Sequence, residues 1–408
     1  MQGPSATLPR ANRVMISTIP PDSGGVPRNV QFVVETLRRR GYEPVLAYYE
    51  PYSLSPHLSV PSFRLLQRRA GSESRSAFGG CETHAIGAWL PELEFTHYLA
   101  TATWKRVMDS CGSYIAVAGN ALASLPYYQS GRPFLGWISS GWHEDRKDRV
   151  RQFSVARTLV DRSIVGPVAR RLERSLLRSG SVLAASDYTR RLLDDIAGMP
   201  VVKDVLSTPI DTDFFCPAPD LKVQGRVGFS GRVSDPRKNV ELLFAAVRHL
   251  RQAGHAVNAL LIGDESGPRL RQRVRDLGIG EAVEFCAHVP IEILRDKLRS
   301  LDLFVVPSHQ EGLCIAALEA MACGCPVVST RCGGPEEFVL DDETGFLVGC
   351  EPAEMADGIL RILSAPKLRE RLGGAARDKV ARDYSLAKAN RVFWPAFEQQ
   401  FATLGLSV

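Results

Sequence analysis

Leu303-Phe-Val-Val-Pro-Ser-His-Gln-Glu-Gly-Leu-Cys-Ile-Ala-Ala-Leu-Glu-Ala-Met-Ala-Cys-Gly-Cys-Pro-Val-Val328 decides the fold of this chain. Leu303–Pro307 is a short apolar run of the kind that forms a buried strand. Ile315–Cys323 reads as a helix, and Pro326–Ser329 as the next strand. Strand, loop, helix and strand make one unit of a parallel α/β sheet. The unpaired amides and positive dipole end at a helix N-terminus suit a phosphate or sugar oxygens. Gly312 lets backbone approach a ligand closely. Glu311 stands just before the helix, and Glu319 lies about one turn inside it. Two acidic groups beside an anion site make chemical sense if they accept hydrogen bonds from hydroxyls, as sugars and ribose offer. Spacing alone is equally compatible with two solvated helix charges.

The same alternation extends outward from this stretch. Strands are expected at Arg226–Ser230, Val257–Ile262 and Val283–Phe285, and helices at Val240–Gln252, Pro268–Leu277 and Ile291–Leu301. Pro209–Asp220, with three prolines and three aspartates, reads as a linker into this second half. In the first half, Arg13–Thr18 reads as a buried strand, Ile19–Gly25 as a loop and Val26–Arg40 as a helix, ended by Gly41. Further strands are expected at Pro44–Tyr48, Tyr114–Ala118, Pro133–Ser139, Ser181–Ala185 and Val201–Ser207. Asp187–Ile196 reads as a helix, and His143–Gly180 as one long Arg-rich helical stretch. Residues 51–112 mix Pro, Ser, Gly, Arg and aromatics and give no clear assignment. The expected architecture is α/β, with two Rossmann-like domains facing each other across a cleft. Ligands of such folds bind at the C-terminal edges of the parallel strands.

Composition narrows the function. The 408 residues carry 50 Lys+Arg and 45 Asp+Glu, a net charge of +5 that is too weak to point to nucleic acid. The ordinary apolar fraction of 45% disfavours disorder and coiled coil. Ser110–Gly131 is the longest uncharged stretch, but Gly112, Gly119, Asn120 and Pro126 make it a poor spanning helix. The N-terminal residues lack the apolar core of a signal peptide. Nine scattered cysteines suit reduced thiols better than a disulfide framework, so a cytoplasmic location is expected. Cys314, Cys323, Cys325 and Cys332 lack the spacing of a zinc site and are expected as buried thiols.

A second motif is Gly228-Phe-Ser-Gly-Arg-Val-Ser-Asp-Pro-Arg-Lys-Asn239, a strand and glycine turn leading through a basic cluster into a helix. Arg232 and Lys238 follow the first strand of the second half. Such a cation pair holds a diphosphate and stabilises it as a leaving group, although a solvated loop would carry the same residues. No G-x-G-x-x-G occurs, which weakens a nicotinamide reading.

With these two motifs the second half resembles the donor-binding domain of the GT-B glycosyltransferases of family GT4. Glu311 and Glu319 match its E-x7-E motif. Gly231-Arg232 and Lys238-Asn239 match its G-R-x(n)-K-N/G motif. Leu318–Val328, Asp342–Val348 and Ser207–Pro217 resemble its L-E-A-M-A-x-G-x-P-V-V, G-x-T-G-x-L-V and hinge segments. The resemblance is specific across 181–384 and weaker across 10–50. It implies an acceptor-binding domain over 1–208, a nucleotide-sugar domain over 209–384, and a C-terminal helix within 385–408 that returns to the first domain. It also implies roles for individual residues. Glu319 would bind the nucleotide ribose. Glu311, with the amides of Gly312, Leu313 and Cys314, would hold the donor sugar. Arg232 and Lys238 would contact the diphosphate beside Gly231. Gly24 and Gly25 match the family's glycine loop. A His at the end of a first-domain strand should face the donor sugar. His143 is the nearest candidate, with Ser139 or Ser140 as alternatives.

The implied activity is retaining transfer of a sugar from a nucleotide-diphosphate sugar, UDP- ahead of GDP-, to an acceptor hydroxyl, with no metal or other cofactor. The acceptor would be a sugar, a lipid-linked molecule or a small molecule. A sugar-nucleotide epimerase, a phosphorylase and a non-catalytic sugar-nucleotide binder are the rival readings. Residues 144–178 hold ten Lys/Arg against five Asp/Glu. This resembles relatives whose basic patch rests peripherally on an anionic membrane, though a solvated helix has the same composition.

Overall fold

Val14, Met15 and Ile16 have no exposed surface, and around them the first of two sheets is built. The computed structural model describes residues 9–21, 25–66, 69–150, 153–264 and 267–401. Its contacts divide the chain into two units, Met1–Ser207 with Asn390–Val408, and Thr208–Ala389.

The first unit contains β1 (Arg13–Thr18), β2 (Glu43–Tyr49), β3 (Ser72–Ala77), β4 (Cys81–Ile86), β5 (Ser113–Ala118), β6 (Leu135–Ile138), β7 (Ser181–Ala184) and β8 (Val202–Val205). Their order in the sheet is β3-β4-β2-β1-β5-β6-β7-β8. All neighbours run parallel except β3, which returns antiparallel along β4. This hairpin lies in the stretch that gave no sequence assignment. Ser-Glu-Ser-Arg-Ser-Ala is a largely exposed edge strand without an apolar period, so neither face signals a core.

The second unit contains β9 (Arg226–Gly231), β10 (Asn258–Gly263), β11 (Val283–Cys286), β12 (Leu303–Val306), β13 (Val327–Thr330) and β14 (Gly345–Val348), ordered β11-β10-β9-β12-β13-β14. All pairings are parallel. β14 docks closely because Gly345 has no side chain: a Cβ there would meet the Val327 carbonyl oxygen at 1.8 Å. Both sheets show the alternation expected of two Rossmann-like domains.

One expectation needs correction and two gain detail. The helical stretch 143–180 is interrupted. Trp142–Val150 is one helix, and Ser154 caps a second, Val155–Val160, by accepting the Arg157 amide. A π turn over Asp161–Val165 then leads into Gly166–Ser179. Pro167 has no amide to complete the regular ladder there, and the wider turn absorbs the mismatch. The segment 209–220 is anchored to the second unit as well as connecting. Ile210 donates its amide to Tyr384, and the Arg377 guanidinium donates to the carbonyls of Thr212 and Phe215. β3, in the unassigned stretch 51–112, adds one antiparallel edge to an otherwise parallel sheet.

The last helix, Leu386–Phe401, buries Phe393, Phe397 and Phe401. Phe393 meets Phe32 edge-on at 6.0 Å and Phe397 meets Tyr42 at 5.5 Å, which ties the chain end to the first unit. Among the described residues no helix is long and apolar enough to cross a membrane.

Candidate active site

β9 and β12 are hydrogen-bonded neighbours, pairing Leu303 with Val227 and Phe304 with Gly228. Their C-terminal ends therefore release two loops side by side, 232–239 and 307–314. The His309 amide donates to the Arg237 carbonyl at 2.8 Å and joins the loops.

The first loop is shaped by Asp235. Its side chain accepts the Arg237 amide and caps the short turn Pro236–Lys238. Its other oxygen pairs with Arg232 at 3.0 Å and Arg237 at 3.3 Å. Burial raises the Asp235 pKa, but the Arg237 and Arg232 charges outweigh it and hold the carboxyl below its usual range. Arg232 keeps 55% of its side chain exposed and is held by Asp235. Gly231 has φ +154°, a backbone few residues with a side chain adopt.

The second loop presents Glu311. Its amide donates to the Cys332 carbonyl and its carbonyl accepts the Gly334 amide, so the backbone is fixed against the segment after β13. The residue is 7% exposed, and its carboxylate accepts from Ser308 Oγ at 2.7 Å and from Lys238 Nζ at 2.7 and 2.9 Å. Burial pulls the Lys238 pKa down, and the Glu311 carboxylate more than reverses this, so the net shift is upward. Cys314 caps the helix Ile315–Ala322 in the left-handed region, φ +72°. Desolvation, and then Glu311, push its thiol well above the ordinary range.

The structure thus brings Lys238 and Glu311 into direct contact, with Gly312, Leu313 and Cys314 between Glu311 and the helix. Glu319 is 2% exposed inside that helix. In the first unit, Gly25 precedes the helix Val26–Arg39 in ordinary right-handed geometry, and Gly24 lies outside the described residues. His143 is an exposed second residue of its helix, five residues beyond the end of β6. Ser139 and Ser140 lie closer to that strand end. The Ser139 amide donates to Ala118, the Ser140 amide donates to Gly119, and Ser140 is buried.

Sequence reasoning missed four residues that fix this geometry. They are Asp235, Ser308, Gly334 and Thr330, whose hydroxyl donates to the Ser308 carbonyl. Only Gly334 left a signal, the Gly333-Gly334 pair. A Cβ there would meet the Gly312 carbonyl at 2.4 Å.

Residues 224–365 match the family of glycosyl transferases group 1. A D-inositol 3-phosphate glycosyltransferase of Frankia alni is 32% identical over 230 residues, 51% of this chain and 56% of that protein. A GDP-mannose-dependent alpha-(1-6)-phosphatidylinositol monomannoside mannosyltransferase of Mycolicibacterium smegmatis is 32% identical over 232 residues, covering 52% and 60%. The chain therefore spans little more than half the length of these two relatives. Among solved structures, sucrose-phosphate synthase from Thermosynechococcus elongatus superposes with a TM-score of 0.75 at 19% identity, covering 97% of this chain and all of the other. Anabaena HepE in complex with UDP and glucose superposes at 0.70 and 16% identity, covering 95% and 99%. The fold is that of the GT-B glycosyltransferases, and its second unit carries a domain of the glycosyl transferases group 1 family.

Proposed function

We propose that this chain moves a sugar from a nucleotide-diphosphate sugar to an acceptor hydroxyl, with retention at the anomeric carbon and without a metal. The observation that carries this reading is the Lys238–Glu311 pair at the ends of adjacent strands, directly before a helix N-terminus in a group 1 domain. An ammonium has three donors. Glu311 engages two of them and leaves the third for a phosphate oxygen. In the reaction the bond from sugar C1 to the diphosphate oxygen breaks, and a bond from C1 to the acceptor oxygen forms. Lys238, Arg232 and the amides at the head of Ile315–Ala322 neutralise the developing negative charge. The acceptor proton passes to the departing phosphate oxygen, so no separate general base is required. Glu311 and the amides of Gly312–Cys314 hold the sugar hydroxyls, and Glu319 takes the ribose.

UDP is the favoured nucleotide because Anabaena HepE, which covers 95–96% of this chain, is in complex with UDP and glucose and with UDP-glucose; GDP is the alternative. The test is to screen UDP, GDP and their sugars for thermal stabilisation, then to measure nucleotide release with pooled acceptors and assign the product anomer by NMR. A bound donor raises the melting temperature. Turnover of a nucleotide sugar without acceptor would indicate an epimerase, and dependence on inorganic phosphate a phosphorylase. Binding of UDP with no transfer to any acceptor would leave a sugar-nucleotide binder.

A further inference from the structure

Asp235 is shared by two guanidinium groups of unequal freedom. Arg237 donates its backbone amide to one carboxylate oxygen at 3.0 Å and its guanidinium to the other at 3.3 Å. The Arg237 side chain is 14% exposed. The loop after β12 holds this residue further, because its guanidinium donates to Gln310 Oε1 at 3.4 Å and its carbonyl accepts the His309 amide at 2.8 Å. Arg232 reaches the same carboxylate through one nitrogen at 3.0 Å, from a side chain that is 55% exposed. The other acids beside the two loops are engaged elsewhere. Asp264 accepts from the amide of Ser234 at 3.4 Å and from its hydroxyl, and Glu311 accepts from Lys238 and Ser308.

The two contacts differ in strength for a physical reason. An exposed ion pair is weak, because water screens it and long side chains must be held in one geometry. A guanidinium forked onto phosphate oxygens makes two parallel charge-assisted hydrogen bonds and is stronger. Arg232 can therefore leave Asp235 for a diphosphate at little cost. Arg237 cannot follow without giving up its bonds to the turn and to Gln310. It stays, and so the Asp235 carboxylate keeps a counter-charge when a polyanion arrives beside it.

We infer that Asp235 is a positioning residue that parks Arg232 while the donor site is empty. On donor binding the Arg232 guanidinium exchanges Asp235 for the diphosphate, and it returns when the nucleotide leaves, with Arg237 as the fixed counter-ion of Asp235. This exchange rests on the donor reading above, in which Arg232 contacts the diphosphate, and adds the partner that Arg232 must give up. Asp235 thus competes with the nucleotide for one cation, while Arg237 weakens that competition.

UDP and GDP are titrated calorimetrically into the full chain at low salt, where ion pairs are least screened. Asp235→Asn keeps a turn-capping oxygen but removes the charge. It should bind the diphosphate about threefold more tightly, the scale of one exposed ion pair that no longer has to be broken. Arg237→Gln leaves Asp235 to Arg232, and should bind about threefold more weakly on the same scale. In an Arg232→Ala background both changes should vanish, and in the parent chain added salt should shrink them. Melting temperatures show that each variant folds. A merely structural role for the turn would weaken binding in both variants, with or without Arg232. Weaker binding by Asp235→Asn, unchanged affinity in both variants, or the same changes in the Arg232→Ala background would overturn the exchange and leave donor binding intact. A wild type that binds neither UDP nor GDP would overturn the donor reading and the exchange together.

Discussion

Both carboxylate oxygens of Glu311 accept hydrogen bonds from Lys238 Nζ, across 73 positions of sequence. The pairing of β9 with β12 closes that distance. Both groups are largely shielded from water, so removing one leaves the other charge uncompensated. Lys238→Met and Glu311→Gln should each lower the stability of the second unit by about 3 kcal/mol. The double variant should recover most of the loss, because no lone charge remains. Urea denaturation of all four proteins gives the coupling, and strictly additive losses would show that the contact does not matter energetically.

Turnover should depend on the same loops independently of stability. Lys238→Ala and Glu319→Ala are each expected to reduce kcat by about 10²-fold, the scale of one charge-stabilising contact. Steady-state assays below the melting transition check this. Rates near wild type in both variants would remove these residues from the chemistry.

The ionisations give two separate pH windows. The folded Lys238 pKa is raised. Its contribution is therefore complete below the unfolded lysine value, about 10.4, and disappears as pH rises through the higher folded value. Asp235 is shifted down. Its contribution is present above the unfolded value, about 3.9, and lost as pH falls through the lower folded value. The stability difference between wild type and Lys238→Met should be flat from pH 6 to 9 by that reasoning and shrink only in strong alkali. For Asp235→Asn it should shrink only in acid. A loss of either difference near neutrality would contradict the shifts.

Charge neutralisation by Lys238, Arg232 and helix amides predicts transfer that persists in excess EDTA. A strict requirement for Mn²⁺ or Mg²⁺, restored by adding the ion back, would assign part of that task to a metal.

Legibility followed water exposure and periodicity. The buried strands around Val14–Ile16 and Phe304–Val306 announce themselves as short apolar runs, and Val240–Gln252 as a helix with one apolar face. The β3–β4 hairpin did not, because an exposed polar edge strand has no composition to distinguish it from a loop. The break within 143–180 did not either, because a single Ser154 and a single Pro167 in a long Arg-rich stretch do not by themselves separate a cap and a π turn from a continuous helix.

Residue order alone carries the strand–helix alternation and the chemical types proposed for the site, two carboxylates and two cations near glycine turns. Those follow from side-chain polarity repeated at fixed intervals, which is a local property. Only the folded chain makes Glu311 grip Lys238 while Asp235 holds Arg232, sets Ser308 on the Glu311 carboxylate with Thr330 holding the Ser308 carbonyl, and turns an aliphatic row outward beyond Ser154. Each depends on which strands become neighbours and which helix face the core takes, and neither is encoded at any single position.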